Sequence, residues 1–263
     1  MASPFSKREI RCTIYRRKAL LKVQKGNAKL DKNKVFLEEG QHINVWNLPA
    51  GHSCPFAATC LSIANKFTGK IIDGTITEHR CYAASDEARS TNARNVRHYN
   101  FDLLKHRNEE EMIGLIDLSM PGGKYHRVHG SGDFFNMKYF SAWMRIALMH
   151  PNKLFYAYTK SLPYWRDWLW SRGELPENFK LIASKGGSWD NLIDELGLRY
   201  SEVVFHPTKA QDLGLRIDHD DSIAMFSDES FALLLHGTQP AGSEAAKAKV
   251  IMNKEQIQYS YSR

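Results

Sequence analysis

The feature that most constrains this chain is a rhythm in its second half. Short apolar segments recur at Arg127–His129, Leu154–Tyr158, Lys180–Ala183, Glu202–Phe205 and Phe231–Leu235. Helix-length stretches lie between the first of them, at Asn136–Met149, Leu162–Trp170 and Trp189–Leu196. That alternation predicts strand–loop–helix units and a parallel sheet. The segments are short and nearly all apolar, as strands buried on both faces are. An earlier segment, Ile43–Asn47, alternates apolar and polar residues and supplies a sixth strand. We therefore expect one α/β domain over residues 35–263, a six-unit partial (β/α) barrel with a parallel sheet. An open doubly wound sheet is the alternative, because periodicity does not show closure. Upstream of the rhythm, Pro55–Lys66, Ser85–His98 and Glu109–Leu118 are expected as helices.

Each of the later strands ends in polar or glycine residues: Ser131-Gly132-Asp133, Thr159-Lys160-Ser161, Ser184-Lys185-Gly186-Gly187, His206-Pro207 and His236-Gly237-Thr238. Ligands in parallel α/β folds bind at the C-terminal ends of strands. The first strand also runs into a special loop, Leu48-Pro49-Ala50-Gly51-His52-Ser53-Cys54-Pro55-Phe56-Ala57-Ala58-Thr59-Cys60, and Cys81 follows it. Cys54, Cys60, Cys81, Asp133, Lys160, Ser184, His206 and His236 are thus expected at one mouth.

Scattered cysteines often serve as small buried hydrophobes. Two of them in one Gly- and Pro-containing loop at a strand end point instead to ligation. Three thiolates leave one position of a metal or cluster open, and open positions do chemistry. The metal ligands are therefore expected to be Cys54, Cys60 and Cys81. The chain has 4 cysteines and Met1–Phe5 lacks the apolar core of a secretory signal, which argues against disulfides. Cys12 stands apart among arginines. We expect reduced thiols and a place in the cytoplasm of a bacterial host.

The 263-residue chain is 43% hydrophobic and 25% charged, with no apolar run long enough for a membrane span. Its net charge of +7 is uneven. Residues 1–34 carry 11 Lys and Arg against two acids, a net +9, so the remainder is −2. This basic N-terminal arm is a candidate nucleic-acid contact through phosphates, or a solvated tail.

Other candidates are weaker. Asp218-His219-Asp220-Asp221 is a compact oxygen and nitrogen set suited to a divalent ion, or a solvated turn. His52 could hydrogen-bond a cluster sulfur. Lys160 and Lys185 could clamp an anion. Gly186-Gly187 would let a backbone approach a ligand. The Tyr164-Trp165-Trp168-Trp170 set reads as core packing.

The cysteine loop, Cys81-Tyr82-Ala83-Ala84-Ser85, His129-Gly130-Ser131-Gly132-Asp133-Phe134-Phe135, Tyr156-Ala157-Tyr158-Thr159-Lys160-Ser161, Ile217-Asp218-His219-Asp220-Asp221-Ser222 and His236-Gly237-Thr238-Gln239-Pro240-Ala241-Gly242-Ser243 together resemble the phage gene product eighty-eight domain family. The resemblance covers roughly residues 28–263 and implies a phage or prophage origin. More distantly, the order of strand, cysteine loop and Cys-Tyr-Ala is similar to phage-associated radical-SAM-like proteins. That likeness implies a [4Fe–4S] cluster on the three cysteines and S-adenosylmethionine at its open iron. Ser131, Gly132, Asp133, Lys160 and Ser184 would be the cofactor-binding residues. The radical-SAM pattern packs its cysteines as C-x3-C-x2-C, whereas here the spacing is C-x5-C-x20-C.

Three function classes follow: a radical-SAM-like iron–sulfur enzyme acting on a nucleotide or nucleic acid, a noncatalytic metal-stabilised nucleic-acid-binding protein, and a divalent-metal hydrolase at Asp218–Asp221. No side chain is singled out as catalytic.

Overall fold

The computed structural model describes residues 19–26, 37 and 40–257. Cys12 and most of the basic arm lie outside them. The described strands of the main sheet are β1 (Gln24–Lys25), β2 (Ile43–Asn47), β5 (Tyr125–Ser131), β6 (Leu154–Thr159), β7 (Phe179–Ser184), β8 (Tyr200–Val204), β9 (Arg216–Ile217) and β10 (Phe231–Leu234). A separate hairpin pairs β3 (Ser62–Ala64) with β4 (Ile71–Asp73). The helices are α1 (Tyr82–Arg89), α2 (Thr91–Leu104), α3 (Glu109–Leu118), α4 (Met137–Met149), α5 (Leu162–Arg172), α6 (Asn191–Glu195), α7 (Pro207–Asp212), α8 (Ser222–Phe226) and α9 (Glu244–Lys254).

The sheet order is β1-β2-β5-β6-β7-β8-β10-β9. All of its pairings are parallel except that of β1 with β2. Six strands, β2 through β10, therefore lie side by side in chain order. This is the winding expected of a six-unit partial barrel. A doubly wound sheet reverses direction in its middle; here the order turns back only at the two-residue β9. The end strands β1 and β9 do not pair with each other among the described residues, so the sheet stays open.

The two faces of the sheet bury different layers, because alternate residues point opposite ways. Trp46, Val128, Phe155, Ala157, Leu181 and Ala183 face a large core with α3, α4 and α5. Ile43, Val45, Tyr125, Tyr156, Ile182 and Phe231 face a smaller one. Ile223, Ala224 and Met225 of α8 close this inner layer from below. Further along the same inner face the residues turn polar: Arg127 after Tyr125, Tyr158 and Lys160 after Tyr156, Ser184 after Ile182.

Local signals set the helix ends. Asn108 and Glu111 form a capping box on α3, whose first turn is acidic, as the helix dipole favours. Asn136 caps α4 and Ser243 caps α9 through backbone N–H groups. The helix expected over Ser85–His98 is two, because Ser90 leaves α1 extended and caps α2. The helix expected over Pro55–Lys66 is absent; turns and β3 stand there. The backbone of Ala58 and Thr59 instead donates to Gly186 O, at 3.1 and 3.0 Å. Residues 19–26, counted with the arm by charge, join the body: Leu21 N donates to Ser119 Oγ and Lys22 N to Asn100 Oδ1.

Buried histidines make the fold acid-sensitive. His126 is wholly buried between Trp46 and Phe155, and burial pulls its pKa down to about 3. Burial lowers His129 likewise to about 3. Above the ordinary histidine range both states are neutral and nothing is lost. As pH falls below it, the unfolded chain takes up protons that the folded chain refuses. Each such histidine thus removes about 2–3 kcal/mol by pH ~4.5. Urea unfolding at pH ~7 and ~4.5 will show His126→Phe losing about 2 kcal/mol less than the parent over that interval. An equal loss in both proteins would contradict the assignment.

Candidate functional site

The polar ends of the inner face open into a cleft at the C-terminal edge of the sheet. Cys54, Cys60, Cys81, Asp133, Lys160, Ser184 and His236 all line it. Ser131 and Gly132 line it too. One expected member is elsewhere: the His206 ring accepts from Thr208 N at the start of α7 and meets Glu255 at 2.6 Å. The strand-end rule located its backbone, but the side chain serves the helix.

Three elements hold the cysteine loop. Leu48 N donates to Ser131 O at 2.9 Å, which extends the β2–β5 pairing past the strands. The register of that pairing slips, from Trp46 against Val128 to Asn47 against Ser131. His129 and Gly130 form the resulting bulge, with His129 at φ +67°. Its ring turns to the outer core against Phe134 and Tyr139. Gly130 O accepts the Tyr82 hydroxyl of α1. Gly132, at φ +85°, allows a close approach: a Cβ there would stand 2.5 Å from Ser53 Oγ. On the far side, Gly186 carries the backbone bonds of Ala58 and Thr59, and a Cβ there would be 2.2 Å from Thr59 Oγ1. The Gly-Gly pair thus admits the cysteine loop rather than a ligand.

The third holder is Glu87, a fully buried carboxylate on α1. Its Oε1 accepts from Ala50 N at 2.9 Å, Arg97 NH1 at 3.1 Å and Ser131 Oγ at 3.3 Å. It therefore joins the cysteine loop, the end of β5 and α2. Burial raises its pKa against these bonds. On the other side of Cys81, Gln239 clamps Arg80: its Oε1 accepts from Arg80 N and its Nε2 donates to Arg80 O.

The three thiols are half-buried and free of disulfides. Burial pushes Cys54 well above the usual thiol range, with Asp133, Cys81 and Cys60 adding to it. Burial and Cys60 push Cys81 up to about 11, against the backbone N–H groups of Ala84 and Ala83. The thiols therefore sense one another's charge. Among the described residues, no group of three or more His, Cys, Asp or Glu side chains is arranged to hold a metal ion. The three thiols are thus not gathered around one ion. A cubane presents a separate iron to each thiolate and asks for wider spacing. A bound cation would also offset the burial and mutual repulsion that raise Cys54 and Cys81.

Asp133 is buried beside them. Its Oδ1 accepts from Thr159 Oγ1 at 2.6 Å and Phe134 N at 2.7 Å, and its Oδ2 from Lys160 N at 2.8 Å. A carboxylate oxygen can accept two bonds, so Oδ2 keeps one position for a ligand donor. Burial raises the carboxyl to about 6, and the three bonds hold it from going higher. Lys160 Nζ donates to Ser184 Oγ at 2.8 Å, Ser184 O at 3.0 Å and Lys185 O at 2.6 Å. Those partners are uncharged, so the ammonium is fixed in place without a bonded counter-ion among the described residues. His79, which sequence reasoning did not single out, lies near it. Burial and Lys160 lower its pKa to about 4, and its buried Nδ1 has no partner among the described residues.

Several other candidates have structural roles. Lys185 pairs with Glu202 and covers the Tyr200 ring. His52 meets Ala64 O and the His98 ring. Asp218 accepts from Asp220 N and Ala224 N, so it shapes the turn into α8. Asp221 reaches the inner face of the sheet and pairs with Arg127 at 2.6 Å. Trp165 and Trp168 are core residues and Trp170 is exposed. Arg127 and Tyr158 also line the cleft. Arg127 had a signal, a charged residue inside an otherwise buried strand.

No helix among the described residues is long and apolar enough to cross a membrane. Comparison with curated proteins and with solved structures gives no match. The family model described as Gene product 88 matches residues 20–254, a span that takes in all three cleft cysteines, the Asp133 loop and every strand of the main sheet, and the chain belongs to this phage family.

Proposed function

We propose that this protein is an iron–sulfur enzyme of the radical-SAM-like kind, with a nucleotide or nucleic acid as substrate. One observation carries the reading: three thiols, a buried carboxylate and a fixed ammonium line one cleft at the C-terminal edge of six parallel strands in chain order. Cys54, Cys60 and Cys81 would hold a [4Fe–4S] cluster, leaving one iron without a protein ligand. Such a cluster, when reduced, supplies one electron to a sulfonium cofactor bound at that iron. The chain's own groups do the positioning. Asp133 Oδ2 would accept a hydrogen bond from an ammonium group, and the charge of Lys160, whose three N–H groups are held by Ser184 and Lys185 O, would attract a carboxylate. Ser131 and Gly132 keep the loop close enough for this. The largely apolar cleft wall would limit water around a reactive species.

Reconstitution without oxygen tests the cysteines. The full chain should take up about four iron and four sulfide. Cys54→Ala, Cys60→Ala and Cys81→Ala should each hold less than about one iron while melting cooperatively, and Cys12→Ala should match the parent. Equal iron in all four variants, or stoichiometric zinc without sulfide, contradicts the proposal.

A further inference from the structure

The floor of the cleft carries groups that the cysteine reading does not use. Arg127 is buried, and its NH1 donates to Asp221 Oδ2 at 2.6 Å. The Tyr156 hydroxyl donates to the same oxygen at 2.9 Å and the Tyr158 hydroxyl to Oδ1 at 3.2 Å. The guanidinium also lies 5.0 Å from the centre of the Tyr158 ring. Asp221 is fully buried and reaches this place with φ at +68°, a conformation that costs a non-glycine residue energy. One cation and one anion balance, and three donors share the carboxylate.

One donor is left over. The Arg127 Nε–H is buried and has no acceptor among the described residues. Buried donors are nearly always satisfied, and a charged one without a partner is costly to keep. Arg127 lines the cleft, and Val203, Leu233 and Leu235 line it too. Just beneath the floor, beside apolar walls, therefore lies a charged N–H donor without an acceptor among the described residues, which a ligand oxygen reaches when the Arg127 side chain turns slightly toward the cleft.

We propose that this floor is a binding subsite for an uncharged carbonyl group, an amide or lactam, whose oxygen accepts from Arg127 Nε–H while its body lies on Val203 and Leu233. An anion fits less well. Asp221 already neutralises the guanidinium, and a second negative charge would sit unpaired in a low-dielectric floor. An uncharged oxygen satisfies the donor at no such cost. The subsite stands on Arg127 and its neighbours alone and does not depend on the cysteines holding a cluster.

Benzamide and benzoate, alike in shape and different in charge, separate the two ligand types. The full chain, labelled with ¹⁵N-arginine, is titrated with each while the Arg127 Nε–H resonance is followed. Its disappearance in Arg127→Lys assigns it. Benzamide should move this resonance and bind at least about tenfold tighter than benzoate. Should Arg127→Lys not fold, Val203→Phe carries the test. It fills the floor, leaves the Arg127–Asp221 pair in place, and must abolish the benzamide response. Benzoate binding as tightly as benzamide, no movement with either at ~50 mM, or an undiminished response in Val203→Phe overturns the proposal. A protein that forms no cluster yet answers to benzamide would remove the proposed function and leave this inference standing.

Discussion

Glu87→Ala will cost about 3–5 kcal/mol of unfolding free energy, the usual cost of breaking a buried, hydrogen-bonded ion pair from one side. The substitution strips Oε1 from three donors at once. Ala50 N then has no acceptor at the entrance of the cysteine loop. Arg97 keeps Asp86 and Ala83 O but loses its fully buried partner. Glu87→Gln should cost less, about 1–2 kcal/mol, because it retains an acceptor oxygen and gives up only the charge. Its other end replaces an oxygen that has no partner among the described residues. Urea unfolding followed by tryptophan fluorescence measures both variants. A loss below about 1 kcal/mol for Glu87→Ala would mean that the loop is held by other contacts.

Glu87 also marks how far the sequence could be read. The strands were legible because parallel strands covered on both faces must be apolar along their length. β5, β6, β7, β8 and β10 stand within a few residues of their expected places. The convergence of Cys54, Cys60, Cys81, Asp133, Lys160, Ser184 and His236 followed from strand direction alone. Glu87 gave no such signal, since an acid in a polar helix looks solvated until the tertiary structure buries it. Arg127 carried a signal, a charge inside a buried strand, but not its role. In a strand buried on both sides, alternation cannot say which face is the interior, so neither its pairing with Asp221 nor its place in the cleft was readable. The Pro55–Lys66 segment misled for another reason. Apolar residues at helical spacing were present, but Phe56 and Ala57–Thr59 are pinned by backbone bonds to the Gly186–Ser188 turn, some 130 residues away. Tertiary pairing overrode the local preference.

Asp221 shows the converse. It was read as one of four ligands in a short acidic run, and its chemistry is spent instead on the inner face of the sheet. A positive φ carries its carboxylate away from its neighbours in sequence and toward Arg127, Tyr156 and Tyr158. Only the backbone conformation could have revealed that.

Electron paramagnetic resonance of the reconstituted, reduced chain, recorded with and without S-adenosylmethionine, tests the central claim most directly. On the proposed reading, three cysteine ligands would leave one iron open, and Asp133 Oδ2 would accept from the cofactor's ammonium. The cluster signal should therefore shift when the cofactor is added. Asp133→Asn should raise the cofactor concentration needed for that shift about tenfold or more, while the iron content stays that of the parent. The amide removes the ammonium's charged partner and no thiolate. A cluster whose spectrum is the same with and without S-adenosylmethionine, in the parent protein, would contradict the account.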